Sequence, residues 1–368
     1  MTRACPDCLT RARLLQALAG RIETLASRRD SPVQQLLALE GDDLLQVTGV
    51  PESGRRALLE DARGAATADA EPGFEGGAVC LHDDRYPNQL RDLPDAPRAL
   101  FHTGPVDRLT RLAADQPVAI VGSRRPSPQG VQAAMLLGRG LAVAGVTVVS
   151  GMAFGIDAAC HRGALDGGGA PIAVLASGAD RASPAGNRAI YRELRAAGTI
   201  VSEMPWGASP FRWLFPARNR IMAALGVMTV VVEATENSGS LITAEFALGL
   251  ERQLGAMPGA PGARLTEGSN KILRDGGTVV RYAQDALDEL FRVGSLPERN
   301  PAGARRPIAE DPVLGKVLDG VEVGETLDQI AERSGLGARE VRTALVRLEG
   351  IGLVRRAGFR GYVATTIG

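Results

Sequence analysis

Five short runs of β-branched and other apolar residues recur along the middle of the chain, and helical stretches lie between them. The runs are VAIVG at 118–122, VTVVSG at 146–151, IAVLASG at 172–178, TIVSEM at 199–204 and MTVVVEA at 228–234. Strands that are apolar throughout, rather than at alternate residues, are buried on both faces. The alternation of such strands with helices predicts an α/β fold built on a mostly parallel, doubly wound sheet.

Two segments without periodicity suggest where the 368-residue chain is divided into folding units. Residues 63–77 are rich in alanine and glycine, and residues 293–308 are rich in proline, glycine and arginine, as is typical of linkers. The predicted domains are a helical unit (1–65), an α/β core (78–292) and, after the linker at 293–308, a C-terminal unit (309–367).

Both terminal units carry helical motifs. The segment VTGVPESG at 47–54 separates two predicted helices and is typical of a helix-hairpin-helix/SAM-like unit, although a plain helical turn fits equally well. In the C-terminal unit, a helix, a GLG turn and a second helix precede the two short strands of LVRRAGFRGYVA, which predicts a winged helix. The predicted core of this unit is Leu327, Ile330, Leu336, Val341, Leu345 and Leu348.

Composition restricts the classes of function that the chain can have. Its 42 basic and 42 acidic residues give a formal net charge of +0, so a nucleic-acid-binding surface must arise from a local arrangement of charge. No apolar run reaches about 18 residues. Because the N-terminus is also charged from Arg3 onward, we expect neither a membrane span nor a signal peptide, and hence a cytoplasmic protein.

The four cysteines are too few for a disulfide framework in a chain of this size. Cys5 and Cys8 form a C-x-x-C pair, which is typical of half a zinc site or of a redox pair. The other two, Cys80 and Cys160, stand alone and far away in the sequence. The sequence therefore favours reduced cysteines in a loosely held terminus, and it predicts no metal and no cofactor.

Glycine- and serine-rich loops follow the strands, where ligands bind in doubly wound sheets. The first strand is followed by GSRRPSPQG, the second by GMAFGIDAACHRGAL and the fifth by TENSGSLITAE. Each loop opens a helix, and the unpaired N–H groups of a helix N-terminus form an anion nest. Ordinary turn geometry explains each loop taken alone, so the prediction of an anion site depends on several loops converging on one edge.

The segment PFRWLFPARNRI at 210–221 interleaves aromatic and cationic side chains. Rings can stack on the bases of a nucleic acid while guanidinium groups pair with its phosphates. Alternatively, the aromatic residues pack in the core and the arginines cap helix ends. The residues in question are Phe211, Trp213 and Phe215 with Arg212, Arg218 and Arg220.

Motifs of common nucleotide-dependent and hydrolytic enzymes are absent from the sequence. It contains no G-x-x-x-x-G-K-[ST], no G-x-G-x-x-G after the first strand, no H-E-x-x-H and no G-x-S-x-G. His161 lies on a predicted helix, where a structural role is favoured over that of a general base. The sequence therefore predicts a binding protein rather than an enzyme.

Several segments resemble the DNA-processing protein A (DprA/Smf) family in order and spacing. IVGSR, VVSGMAFGIDAACHRGAL, FPARNRI and VVVEATENSGSLITAEFAL carry the resemblance, which covers roughly residues 78–292. It implies an extended Rossmann-like fold that binds single-stranded DNA without sequence preference. It further implies loading of the RecA recombinase in natural transformation and recombination, a homodimer, and no catalytic activity.

The resemblance also implies which residues contact DNA. By position these are Gly122, Ser123, Arg124, Arg125, Ser150, Gly151, Gly155, Asp157, Arg218, Asn219, Arg220, Ser238, Gly239, Ser240, Thr243, Gly268 and Asn270. The chain departs from the family pattern at Phe154, where the family often has arginine or lysine. It departs again at Ser183, where tyrosine is common, and at Gly255, where an aromatic residue is usual.

Two other functions remain open at the level of sequence. The first is a nucleotide-processing enzyme similar to the cytokinin-activating phosphoribohydrolases, whose P-G-G-x-G-T-x-x-E motif NSGSLITAE partly matches, with Glu245 as the acid. The second is a transcription regulator that binds duplex DNA through the winged helix, since arginines outnumber acidic residues between Arg333 and Arg360.

Overall fold

The computed structural model describes residues 4–27, 33–67, 75–291, 311–350, 353–356 and 362–364. The chain divides into two compact units, residues 1–292 and residues 293–368. Among the described residues, no helix combines the length and apolar character needed to cross a membrane.

The first unit is built on one open sheet. Its strands are β1 (Gly76–Cys80), β2 (Ala99–Thr103), β3 (Val118–Val121), β4 (Val148–Ser150), β5 (Ile172–Val174), β6 (Thr199–Ser202), β7 (Met228–Val231), β8 (Gln253–Ala256) and β9 (Thr278–Val279). Within the described residues the sheet has nine strands, in the order β1-β2-β6-β5-β4-β3-β7-β8-β9. The strands from β3 to β9 pair in parallel, whereas β1 and β2 extend the β6 edge in antiparallel fashion.

Helices cover the sheet and form the N-terminal region. They are α1 (Pro6–Ala26), α2 (Val33–Ala38), α3 (Gly41–Val47), α4 (Glu52–Thr67), α5 (Val106–Ala114), α6 (Pro128–Val143), α7 (Ile156–Asp166), α8 (Arg188–Ala197), α9 (Leu214–Leu225), α10 (Gly239–Gly249), α11 (Glu267–Arg274) and α12 (Ala283–Phe291). Glycine brings α6 and α7 into close contact, because a Cβ at Gly163 would lie 2.0 Å from the carbonyl oxygen of Met135.

Each of the five strands predicted from apolar runs is present, as β3 to β7, and the prediction of a mixed α/β fold with a mainly parallel sheet is confirmed. These strands are buried along their whole length, as continuous apolar runs require. The four outer strands, β1, β2, β8 and β9, were not predicted. Two of them, β1 and β8, contain glycine, and β9 is only two residues long, so none of the three has the pattern of a buried strand.

The N-terminal helices belong to the same compact unit as the sheet. Leu9 and Ala12 of α1 pack in one buried cluster with Phe101 of β2 and with Trp206. Cys8 belongs to that cluster and is 2% exposed. The prediction of loosely held cysteines at this terminus is therefore wrong, because α1 is anchored by apolar contacts to the edge of the sheet.

The turn between α3 and α4 uses its own backbone N–H groups. The N–H of Gly49 donates to the carbonyl oxygen of Gln46 (3.0 Å), and that of Val50 donates to the carbonyl oxygen of Leu45 (2.9 Å). Gly49 has a φ of 69°, as is usual for the glycine that ends a helix. These two N–H groups are therefore not available to a phosphate in this conformation.

The second unit contains three helices followed by two paired strands. The elements are α13 (Pro312–Glu322), α14 (Leu327–Ser334), α15 (Ala338–Gly350), β10 (Val354–Arg356) and β11 (Tyr362–Ala364). Thr326 and Gln329 form a capping box at the start of α14, and Gly335 ends that helix with a φ of 71°. Of the six predicted core residues, Ile330, Val341, Leu345 and Leu348 are buried, and Leu327 and Leu336 pack against them.

His161 of α7 is fully buried, and desolvation lowers its pKa to about 3. In the unfolded chain a histidine titrates near 6.5, so between about pH 6.5 and pH 3 only the unfolded state takes up this proton. We expect the free energy of unfolding to fall by about 1.4 kcal/mol per pH unit through this residue as the pH drops across that window.

Urea titrations of the wild type and of His161→Gln at about pH 7 and about pH 5 check this expectation. The variant should lose less stability on acidification, while buried His102, whose pKa burial lowers to about 4, contributes equally to both proteins. The same acid-induced loss in both proteins would contradict the assignment to His161.

Candidate nucleic-acid interface

The loops after β3, β4 and β7 meet at one edge of the sheet. Strand β3 lies between β4 and β7, so the strand order reverses here, and doubly wound sheets bind ligands at such a point. Gly155 lets two of these loops touch, since a Cβ there would lie 2.3 Å from the carbonyl oxygen of Ser123. Its φ of 80° also favours glycine.

Carboxylates of the chain itself occupy two of the three helix N-termini at this edge. At the start of α6, the Glu233 carboxylate accepts hydrogen bonds from the hydroxyl of Ser127 and from its backbone N–H (2.8 Å). At the start of α7, the Asp157 carboxylate accepts from the N–H of Ala153 (3.2 Å). The prediction of anion nests is wrong for these two helices, because negative charge already lies at each of them.

The N-terminus of α10 is the open one of the three. Gly239 is exposed, and a Cβ there would meet nothing within 4 Å. The hydroxyl of Ser238 caps the helix by accepting from the N–H of Ser240 (3.4 Å). Asn219 donates from Nδ2 to the carbonyl oxygen of Gly239 (3.1 Å), which ties α9 to this turn. Thr243 is buried one turn further along, so it does not reach the surface.

Arg218 lies beneath the loop surface. It is 6% exposed, and Nη1 donates to the carbonyl oxygens of Gly151 and, at 2.8 Å, of Val174. Its Nη2 lies 3.7 Å from Oδ2 of Asp157. Burial lowers the pKa of Arg218 to about 10, so the group stays charged at neutral pH. Burial likewise raises the pKa of Asp157, although the charge of Arg218 opposes that shift. A ligand would therefore experience the field of Arg218 rather than a direct contact.

Arg220 is fully buried, and the prediction that it contacts DNA is wrong in this conformation. Its Nη2 donates to both carboxylate oxygens of Glu203 at 2.9 Å, and its Nε lies 2.8 Å from Oδ2 of Asp95. Burial disfavours its charge, but the two carboxylates outweigh burial and raise the pKa of Arg220. Arg220 is therefore part of a buried ion network that joins α9 to the segments before β2 and after β6.

The aromatic residues of 210–221 pack inward. Trp213 is 3% exposed, its Nε1 donates to the carbonyl oxygen of Ala19 (3.0 Å), and it belongs to the cluster that joins α1 to α9. Phe211 and Phe215 pack against the same cluster. The Phe215 ring already carries the Arg124 guanidinium at 4.8 Å from its centroid. The core-packing alternative therefore describes these rings better than base stacking.

Three more predicted residues shape the loops from within. The hydroxyl of Ser150 donates to the carbonyl oxygen of Ile120 (2.7 Å). The N–H of Gly268 donates to the carbonyl oxygen of Ala234 (2.8 Å). Asn270 accepts from the N–H of Gly259 through Oδ1 (3.0 Å), and so holds the loop after β8. These three residues therefore determine the shape of the loops through internal hydrogen bonds rather than through contacts with a ligand.

Four exposed arginines and one exposed aromatic ring lie at this edge, and we call them the strand-end surface: Arg124, Arg125, Phe154, Arg188 and Arg212. Within the part of the chain that the structure describes, none of these guanidinium groups forms an ion pair. Phe154 is 50% exposed. The positive charge here is therefore free to meet an anion, whereas the loop after β7 carries the exposed Glu236.

Contacts between neighbouring loops link the segments that carry the strand-end surface. Phe154 precedes Gly155, which packs on the Ser123–Arg124 backbone, and a Cβ at Gly186 would lie 3.0 Å from the Phe154 ring. Asn187, next to Arg188, donates from Nδ2 to the carbonyl oxygen of Met152 (2.9 Å). Phe215 links the segments of Arg212 and Arg124. Its backbone N–H donates to the Arg212 carbonyl oxygen, and its ring faces the Arg124 guanidinium group.

Sequence reasoning missed Arg188 and left the position of Phe154 open. Arg188 is the first residue of α8, after the Pro184–Asn187 turn that follows β5. A cation at the start of a helix opposes the helix dipole, and this unfavourable placement was the available signal of a binding role.

The family model of the DNA recombination-mediator protein A matches residues 77–291. The protein Smf of Escherichia coli is 36% identical over 269 residues, which cover 72% of this chain and 71% of that relative. A crystal structure of DNA processing protein A from Streptococcus pneumoniae matches with a TM-score of 0.61 and 29% identity, over 78% of this chain and 99% of that one. A structure that describes the single-stranded DNA binding mode of DNA processing protein A from Helicobacter pylori matches with a TM-score of 0.52 and 28% identity, over 59% of this chain and 96% of that one.

Proposed function

The chain belongs to the DNA recombination-mediator protein A family, and on that premise we propose that it binds single-stranded DNA without sequence preference and loads the RecA recombinase onto it. The observation that carries the DNA-binding part is the strand-end surface. It combines four exposed guanidinium groups, none of which forms an ion pair among the described residues, with an exposed ring at the carboxyl ends of the parallel strands.

The proposed binding mode assigns phosphates to the arginines and a base to Phe154. Guanidinium groups of Arg124, Arg125 and Arg188 can each donate charge-assisted hydrogen bonds to phosphate oxygens. The open N-terminus of α10, at Ser238 and Gly239, offers a further phosphate position. None of these contacts distinguishes one base from another, because phosphates and ring faces are common to all four nucleotides.

Binding of a fluorescent oligo-dT and of a duplex of equal length, each at two salt concentrations, tests this proposal. We expect tighter binding of the single strand, with log affinity falling by about 0.7 per log unit of salt for each phosphate that is neutralised. Equal or tighter binding of the duplex would contradict it. Such a result would favour a role for α13 to α15 and the β10–β11 strands, which we propose form a winged helix.

Phe154 provides a prediction within this binding mode. Replacement by alanine should weaken oligo-dT binding by about 1–3 kcal/mol, the usual contribution of one stacked base. Because Phe154 is half exposed, the free energy of unfolding should change little. The matched control is Val143→Ala, an exposed apolar residue in the last turn of α6, and hence at the opposite edge of the sheet. Equal affinities of the two variants would show that Phe154 makes no contact.

The RecA-loading part of the proposal is supported by family membership and needs its own measurement. We expect the full chain to accelerate assembly of RecA filaments on single-stranded DNA that is already coated by a single-strand-binding protein. Normal DNA binding without this acceleration would overturn the loading step and leave the binding step intact.

We also propose that the chain forms a homodimer through the β9 edge. Leu248 is 61% exposed and lines a groove between α10, α11 and β9 together with Leu254 and Lys271. A carboxylate in place of this apolar side chain would have to lose its hydration on association, so Leu248→Glu should weaken dimerisation at least about tenfold. Sedimentation over a range of concentrations measures this, and Val143→Glu serves as the control for an exposed apolar residue. A dimer that withstands Leu248→Glu would exclude this surface.

A further inference from the structure

Three cysteines and one histidine converge between the N-terminus and the first strand. Cys5 precedes α1, Cys8 lies in its first turn, Cys80 ends β1, and His82 follows two residues later. One potential ligand atom from each of the four lies within 4.8 Å of the other three. We propose that Cys5, Cys8, Cys80 and His82 bind one structural Zn²⁺ ion.

The distances fit a tetrahedral ion. Zinc lies about 2.3 Å from a thiolate sulfur and about 2.0–2.1 Å from an imidazole nitrogen, so neighbouring ligand atoms in a tetrahedron are roughly 3.5–3.8 Å apart. The Sγ atoms of Cys5 and Cys8 lie 3.3 Å and 3.5 Å from Nδ1 of His82. A small outward adjustment of these side chains would place the ion at their centre.

The donor set and its surroundings favour a closed metal site over a disulfide. A disulfide would use two of the three thiols and would leave the third thiol and the imidazole without a role. The backbone N–H of Cys5 points at Sγ of Cys80 (3.4 Å), a donor that stabilises a thiolate. Cys8 and Cys80 are buried, whereas His82 is exposed and gives the ion a path of entry. Four protein ligands leave no open position, so the role is structural rather than catalytic.

The ion would fasten α1 to the edge of the sheet. Cys8 and Cys80 are 72 residues apart in the sequence, so an ion bound to both closes a long loop. The same part of α1 packs on Phe101 and Trp206, which means that metal binding and docking of the N-terminal helices stabilise each other. This inference does not depend on whether the chain binds DNA.

The metal content of the full-length chain, purified without chelators and measured by mass spectrometry of the elements, tests the site. We expect about one zinc per chain in the wild type. Cys8→Ser and Cys80→Ser should each lose most of it, whereas Cys160→Ala should retain it. Cys160 is a matched control because it is an equally buried thiol that lies outside the four-residue cluster, with its Sγ donating to the carbonyl oxygen of Asp157 (3.1 Å).

A second variant covers the case in which the cysteine variants misfold. His82 is exposed, so His82→Ala should fold, yet it should hold zinc at least about tenfold more weakly in competition with a chelator. Cobalt in place of zinc should give the ligand-field and thiolate charge-transfer bands of a tetrahedral site, and the ligand-field bands should shift in the His82 variant. A reduced wild-type chain that takes up neither zinc nor cobalt, a disulfide among Cys5, Cys8 and Cys80, or unchanged zinc affinity in His82→Ala would overturn the proposal.

Discussion

Replacing Arg220 by methionine should lower the free energy of unfolding by about 3–5 kcal/mol, because it leaves two buried carboxylates without a counter-charge. Glu203 and Asp95 both face the guanidinium group at 2.8–2.9 Å, and the arginine side chain is completely enclosed. Equilibrium unfolding in urea measures the loss. The matched control is Arg162→Met, since Arg162 makes two hydrogen bonds of 2.7 Å to Glu193 at the surface and should contribute no more than about 1 kcal/mol.

Two further measurements separate this structural role from DNA contact. The triple change Asp95→Asn, Glu203→Gln and Arg220→Met removes the uncompensated charges and should recover part of the lost stability. Under conditions where Arg220→Met is still folded, its affinity for oligo-dT and the salt dependence of that affinity should match the wild type. A folded variant with a shallower salt dependence would instead show that Arg220 reaches a phosphate.

Arg218 and Arg220 are buried whereas Arg124 is exposed, and the sequence alone did not distinguish them. The sequence predicted the strands on either side of α9, because burial on both faces leaves a continuous apolar run. It did not specify which arginines of this region are enclosed, since enclosure depends on carboxylates and carbonyls brought in by distant segments. Asp95 and Glu203 precede Arg220 by 125 and 17 residues.

The cysteines illustrate the same limit for a site. The C-x-x-C pair was visible in the sequence, but its partners Cys80 and His82 lie in a segment with no metal-ligand spacing of its own. Only the docking of α1 on β1 and β2 brings the four groups together. A spacing rule finds sites whose ligands are all local, and it misses sites that tertiary packing assembles.

Changing Arg124 and Arg125 together to alanine should weaken oligo-dT binding at low salt about a hundredfold or more, since each charge-assisted hydrogen bond to a phosphate contributes about 1.5–3 kcal/mol. Both side chains are exposed and neither forms an ion pair among the described residues, so the free energy of unfolding should fall by no more than about 1 kcal/mol, the contribution of the cation–π contact between Arg124 and Phe215. The slope of log affinity against log salt should decrease by about 1.4, or about 0.7 for each lost phosphate contact. Fluorescence anisotropy over a series of salt concentrations measures both quantities.

Arg274→Ala is the control for loss of an exposed arginine elsewhere on the same unit. Arg274 is the last residue of α11, a helix that starts at the strand-end edge and therefore ends at the opposite one, and its guanidinium already pairs with Asp275. It should leave affinity and slope unchanged. An unchanged slope in the Arg124 and Arg125 double variant would contradict the strand-end surface itself, because slope counts displaced counterions and does not respond to small changes in fold. A reduced slope with retained single-strand preference would instead show that these two arginines position the phosphates while other groups exclude the duplex.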